Sequence, residues 1–237
     1  ANLPKNEIER LKTLNSYNIL DTLPEEDYDA IAKIASNICN TPIALISLVD
    51  KNRQWFKSKH GLEANQTPRD VAFCAHSILN PDDLFIVNDA TKDERFFDNP
   101  LTTQDPNVIF YAGAPLNTSE GQTIGTLCVI DNKPNKLNET QKDALKLLAK
   151  HVVSLLDLRK RNHELKNVNK KVTKLNEQLN NFAYRLTHDL KSPISGVNFL
   201  LDVLKEDHID LYKNTDCLLY TSPSPRDLST SRMPSSA

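Results

Sequence analysis

Glycine is scarce in this chain of 237 residues: there are five, at positions 61, 113, 121, 125 and 196, too scattered to build a loop that cradles phosphate. No apolar run approaches the roughly 18 to 20 residues a membrane helix needs, the longest lying around residues 42–49. No signal-peptide pattern opens the sequence, so no membrane segment and a cytoplasmic location are expected. The four cysteines, at positions 39, 74, 128 and 217, show neither CxxC spacing nor the density of a disulfide scaffold, which points to reduced thiols. Cys74, His76 and Cys128 are too few for a closed zinc site, and no metal is expected. An excess of one charge is missing too: 29 Lys and Arg against 31 Asp and Glu give a net charge of −2, which argues against bulk nucleic-acid binding. What is present is ordinary for a folded protein, with 39% hydrophobic and 25% charged residues, enough for one large or two small domains.

Two helical patterns appear between residues 6 and 40. In EIERLKTL, Ile8, Leu11 and Leu14 share a stripe; in EEDYDAIAKIASNI, Tyr28, Ile31, Ile34 and Ala35 do. Pro24 precedes the second pattern, and Glu25, Glu26 and Asp27 fill its first turn, where carboxylates meet the positive end of the helix dipole. IALISLVD is strand-forming and ends at the turn Asp50, Lys51, Asn52, so residues 53–59 are its expected hairpin partner. Further strands are expected at 85–87, 108–114 and 123–130, the last two joined across Ser119, Glu120 and Gly121. Strands in runs, helices at the ends and no repeating βαβ spacing give an α+β class with an antiparallel sheet flanked by helices.

After Pro134 the strand signals stop and a long helix is expected from near Asn138, with Leu145, Leu148, Val152 and Leu155 or Leu156 on one face. Leu158, Leu165, Val172, Leu179 and Leu186 then recur every seven residues, and Arg161, Val168, Leu175 and Phe182 interleave with them. This alternation over about four heptads predicts a parallel coiled coil and hence a homodimer. Between residues 159 and 174 there are seven basic residues and one acid, Glu164. The run reads either as a nucleic-acid or membrane patch or as the solvated outer face of the coiled coil. With no aromatic residue interleaved, no nucleic-acid partner is expected.

The order of motifs from 19 to 131 resembles the GAF domain family: ILDT at 19–22, RQWFKS at 53–58, TPRD at 67–70, FCAHSIL at 73–79, VNDA at 87–90, DERFFDNPL at 93–101, FYAGAPL at 110–116 and GTLCVID at 125–131. The resemblance implies a sensory domain over residues 1–157, with a ligand-sized cavity over one face of its sheet and a ligand left open. Trp55, Tyr111, Arg69 and Asp89 are candidates for an aromatic wall and a charge pair beside that ligand, or are core and turn residues. In bilin-binding members of the wider family a cysteine followed by a histidine anchors the chromophore, which makes Cys74 and His76 ligand candidates. Their other reading is a buried thiol and a core histidine. A sulfoxide reductase using Cys74 or Cys128 is a more distant alternative.

Further on, NNFAYRLTHDLKSPISGVNFLLDVL resembles the phosphoacceptor (HisKA-type) segment of sensor histidine kinases, carried by HDLKSP at 188–193. The expected organisation is a coiled-coil signalling helix at 158–181 and part of a helical-hairpin dimerisation and phosphoacceptor domain at 182–216. The resemblance implies that His188 accepts phosphate from ATP, that Asp189 orients the ring and takes its proton, and that Ser192, one turn on, has a phosphatase role. Pro193 lacks a backbone donor and is expected to kink the helix after the histidine. ATP and Mg²⁺ would be held by an ATP-binding domain whose boxes are absent from this sequence, and a response-regulator receiver would be the partner. The parent protein is then a protein histidine kinase, and this chain alone is inactive. The alternative is a ligand-binding, coiled-coil dimerisation module that regulates a partner without phosphotransfer. The last segment, CLLYTSPSPRD at 217–227 and SRMPSSA at 231–237, resembles translated sequencing adapter, so truncation after residue 216 and a disordered technical tail at 217–237 are expected.

Overall fold

The computed structural model describes residues 2–207; the expected tail at 217–237 and the last part of the expected phosphoacceptor domain, 208–216, lie outside the described residues. The elements run α1 (Glu7–Ser16), α2 (Glu26–Cys39), β1 (Ile43–Val49), β2 (Arg53–His60), β3 (Gln66–Pro68), α3 (Cys74–Ser77), β4 (Phe85–Val87), a 3-10 turn (Ala90–Lys92), α4 (Pro100–Thr103), β5 (Phe110–Asn117), β6 (Thr123–Asp131) and α5 (Glu139–Asp207). The strands make one antiparallel sheet in the order β3-β2-β1-β6-β5-β4. β3 has no counterpart in the expectation from sequence. It is three residues long, pairs only with Arg53 to Trp55, and ends in a proline that an edge strand tolerates because its missing N–H faces no neighbour.

Alternation along the central strands sorts side chains into two cores, as the two-residue period of a strand requires. Ala44, Ile46, Leu48, Phe110, Ala112, Leu127 and Val129 pack with Leu14, Tyr28, Ile31 and Ala35, and with Leu145, Val152 and Leu156 of the start of α5. Leu45, Val49, Tyr111, Cys128 and Ile130 face the other way, against Phe73, Ile78, Phe96 and Val108. β1 and β6 come so close at Gly125 that a Cβ there would collide with the Ser47 carbonyl, so only glycine fits this central position.

The helical stripes expected from apolar spacing are corrected at two positions. In α1, Ile8 is 85% exposed, while Arg10, Thr13 and Leu14 are buried. The helix is rolled because Arg10 arrives fully paired: its guanidinium donates to both Glu7 carboxylate oxygens at 2.8 Å and to the Val49 carbonyl at 2.7 Å, which removes the cost of burying a charge alone. In α2, Ile34 is half exposed and Ala32 takes its place inside, where small side chains let the helix approach the sheet. β5 begins at Phe110 rather than at residue 108.

The chain divides into two units between Asn169 and Lys170, and α5 belongs to both. It is a single helix of 69 residues that continues through Pro193. Every residue from 161 to 200 is exposed, and the heptad positions Leu158, Leu165, Val168, Val172, Leu175, Leu179, Phe182 and Leu186 are 45–67% exposed in the single chain. No helix among the described residues is long and apolar enough to cross a membrane.

Candidate functional site

The expected ligand residues separate onto different parts of the domain. Trp55 packs in the core shared with α1, α2 and α5, whereas Tyr111 points to the opposite face of the sheet. Arg69 does not meet Asp89. Its guanidinium bonds Glu7 at 2.5 Å and the carbonyls of Asp50 and Lys51, so that two arginines, Arg10 and Arg69, grip one carboxylate. Burial pushes the Glu7 carboxyl up, but the two guanidinium groups outweigh it and hold the carboxyl down at about 2. Asp89 instead caps the 3-10 turn through the Thr91 N–H and pairs with Lys92 at 2.9 Å.

Cys74, His76 and Tyr111 do come together. The face of the sheet that carries them is covered by stacked rings: Phe73 lies 3.9 Å from Phe96 and 5.3 Å from Tyr111, and His76 meets Phe96 edge-on at 4.9 Å. In this setting burial, helped by the nearby Arg95 guanidinium, lowers His76 to about 4, so the ring is neutral at physiological pH. Beneath the rings, Cys74 Sγ lies 3.1 Å from the Tyr111 hydroxyl, accepts a hydrogen bond from Thr126 Oγ1 at 2.9 Å and sits 4.0 Å from Cys128 Sγ. Gly113, two residues along β5 from Tyr111, leaves the room that this phenol uses, since a Cβ there would strike it.

An open concave surface lies along β2. A cleft of about 940 Å³ is lined by Asp21, Asp29, Arg53, Trp55, Lys57 and Ser58, of which the sequence reading had singled out only Trp55. Lys57 is its buried cation. Its ammonium donates to Thr22 Oγ1, the Leu23 carbonyl and Glu25 Oε1, the last at 2.6 Å. Glu25 also receives Arg159 Nε at 3.0 Å, so a single carboxylate ties strand β2 to helix α5. Arg159 also caps the Asn18 carbonyl, and the Tyr17 hydroxyl donates to Asp157 at 2.6 Å, which fastens the same turn of α5 to the segment after α1. The RQWFKS motif contained Lys57, but nothing local in sequence signals a lysine on an inner strand that finds its counter-charge 32 residues away.

On α5 the three candidates stand on exposed helix. His188 and Asp189 side chains are 76% and 78% exposed, with Nδ1 and Oδ1 3.2 Å apart, and Ser192 is exposed one turn later. A proton on Nδ1 donated to Asp189 leaves the Nε2 lone pair directed to solvent, where an electrophile can reach it.

Comparison with known proteins adds the following. The family model described as the GAF domain matches residues 24–156. A cyclic di-GMP phosphodiesterase of Pseudomonas aeruginosa is 45% identical over 131 residues, which cover 55% of this chain and 22% of that protein, so the chain spans about a fifth of the curated relative it matches. Among solved structures, a domain of a protein described as a two-component sensor histidine kinase from Sinorhizobium meliloti is 14% identical with a TM-score of 0.48, covering 60% of this chain and 97% of that one. The GAF domain of an Acinetobacter phosphoenolpyruvate-protein phosphotransferase is 16% identical with a TM-score of 0.47, covering 67% and 98%. A free methionine-R-sulfoxide reductase from Neisseria meningitidis is 17% identical with a TM-score of 0.47, covering 66% and 90%.

Proposed function

This chain belongs to the GAF domain family, and on that premise we propose that it is the sensory and phosphoacceptor part of a two-component histidine kinase. The GAF domain takes the input. α5 carries it, and His188 receives the γ-phosphoryl group of ATP and passes it to an aspartate of a response regulator. The observation that carries this reading is the continuity of α5: one helix starts inside the GAF core and reaches an exposed His188 whose Nδ1 is held by the neighbouring Asp189. Nε2 of the imidazole attacks phosphorus, the bond to ADP breaks, and the ring proton passes toward Asp189. ATP and Mg²⁺ would be held by a separate ATP-binding domain, where the metal would supply charge neutralisation of the phosphates. The exposed heptad residues are the seam through which two copies of α5 associate, which brings His188 of each copy into a dimer.

The 45% identity to a cyclic di-GMP phosphodiesterase favours a second reading, a GAF and coiled-coil module that regulates a partner without phosphotransfer. The two are separated by extending the chain with a histidine-kinase ATP-binding domain and supplying ATP labelled in its γ-phosphate. The first reading expects label that is lost in His188→Gln. Label that survives the substitution, or an extended chain that takes no label, overturns it.

A further inference from the structure

The cluster beneath the aromatic layer has a use that neither the fold nor phosphotransfer requires. Three groups from two strands converge on the sulfur of Cys74: the Thr126 hydroxyl at 2.9 Å, the Tyr111 hydroxyl at 3.1 Å and the Cys128 thiol at 4.0 Å. The two hydroxyls also lie 3.4 Å from each other. The Ser47 hydroxyl, buried and without a hydrogen-bond partner among the described residues, also favours the charged form of this sulfur. A neutral thiol is a weak acceptor and does not need such an arrangement, whereas a thiolate does. Cys39 supplies the internal contrast. It is equally buried, has no such donors, and burial alone pushes its thiol up to about 11. Burial pushes Cys74 up as well, yet the hydrogen-bonding groups around it outweigh this and lower it, while its neighbour Cys128 is raised.

We propose that Cys74 and Cys128 are a reactive dithiol that reduces hydroperoxide and closes into a disulfide joining α3 to β6. The Cys74 thiolate attacks one peroxide oxygen, the O–O bond breaks, and the departing hydroxide takes a proton to leave as water. Cys74 is then a sulfenic acid. The Cys128 sulfur attacks Cys74 Sγ, the S–O bond breaks, and the second hydroxide leaves as water with the Cys128 proton. Two thiols have lost two electrons and one peroxide has gained them. Thr126, which donates to Cys74, and the Tyr111 hydroxyl 3.1 Å from the same sulfur are positioned to stabilise the charge that moves from sulfur to oxygen.

Closing the pair from 4.0 Å to a bond of about 2 Å requires one cysteine to move. Cys128 is fixed in β6 between β1 and β5, whereas Cys74 opens a helix of only four residues. Displacement of α3 therefore does two things at once: it admits peroxide to a sulfur only 1% exposed, and it brings the sulfurs together. Reaction through such a local opening speeds up in denaturant too dilute to unfold the domain.

The test uses the full reduced chain treated with hydrogen peroxide under native conditions, followed by blocking of free thiols and peptide mapping without reductant. The expected product is a linked pair of peptides containing Cys74 and Cys128, with Cys39 still a free thiol. In Cys128→Ser the sulfenic acid at Cys74 persists and is trapped by dimedone. Free thiols at both Cys74 and Cys128 after peroxide, or linkage of either one to Cys39 or Cys217 instead, overturns the proposal. The wild-type map alone decides the matter if the variant fails to fold.

Discussion

At the scale of single residues, the N-terminal helix is held by charge rather than by the apolar stripe its sequence displays. Glu7 stands between Arg10, which is 1% exposed, and Arg69, which is 8% exposed. Glu7→Gln leaves two buried guanidinium groups short of an anion, and breaking a buried pair from one side is costly. Urea unfolding of this variant is expected to show a loss of about 2 to 4 kcal/mol; a loss under about 0.5 kcal/mol, the usual range for a surface change, contradicts the assignment. His76 makes a second prediction, in pH. Its folded value is about 4 against an ordinary 6.5, so between those values the unfolded chain binds the proton and the folded chain does not. Stability is therefore full above about pH 6.5 and is lost progressively as pH falls toward 4. Because the ring is partly exposed, the expected loss is about 1 to 2 kcal/mol rather than the whole shift. Urea midpoints at pH 7.5 and pH 5 should differ less in His76→Gln than in the wild type; equal differences contradict the account. Glu7 acts lower, its contribution being lost only as pH falls from about 4.5 toward 2.

At the scale of elements, legibility followed the range of the interactions. The β1 and β2 hairpin, the β5 and β6 pair and the start of α5 were readable because strand alternation, a turn and a heptad are local patterns. β3 was not, since three residues ending in proline carry no strand signal of their own and pair only because β2 is already in place. The roll of α1 was hidden for the same reason: Arg10 reads as a surface residue until Val49, 39 positions away, supplies its carbonyl. Among the site candidates, the Cys74 and Tyr111 contact joins α3 to β5, and no spacing in the chain announces it. The charge pair imagined from Arg69 and Asp89 dissolved into two local duties, a clip on Glu7 and a turn cap. The heptad seam of α5 carries its own prediction. Val172→Lys together with Leu179→Lys places like charges in the expected dimer seam. Sedimentation velocity is expected to find a dimer for the wild type and a monomer for the double variant, with the circular dichroism of the GAF sheet unchanged. A wild-type monomer contradicts the seam.

At the scale of the whole molecule, the account links an α+β sensor to a histidine through one helix. Within the GAF unit, Glu25 holds both Lys57 beside the β2 cleft and Arg159 on α5, so a change at the cleft has a short electrostatic route to the helix. The GAF fold by itself does not decide what the helix drives, since one fold serves many outputs. In the proposed function the output rests with His188, whose Nδ1 lies 3.2 Å from Asp189 Oδ1. The direct measurement is the site and chemistry of the phosphate in the chain extended by an ATP-binding domain. The account predicts a phosphate on the peptide bearing His188, labile in acid and stable in base, as a nitrogen-to-phosphorus bond is. An acid-stable phosphate on Ser192, or no phosphate on that peptide at all, contradicts it.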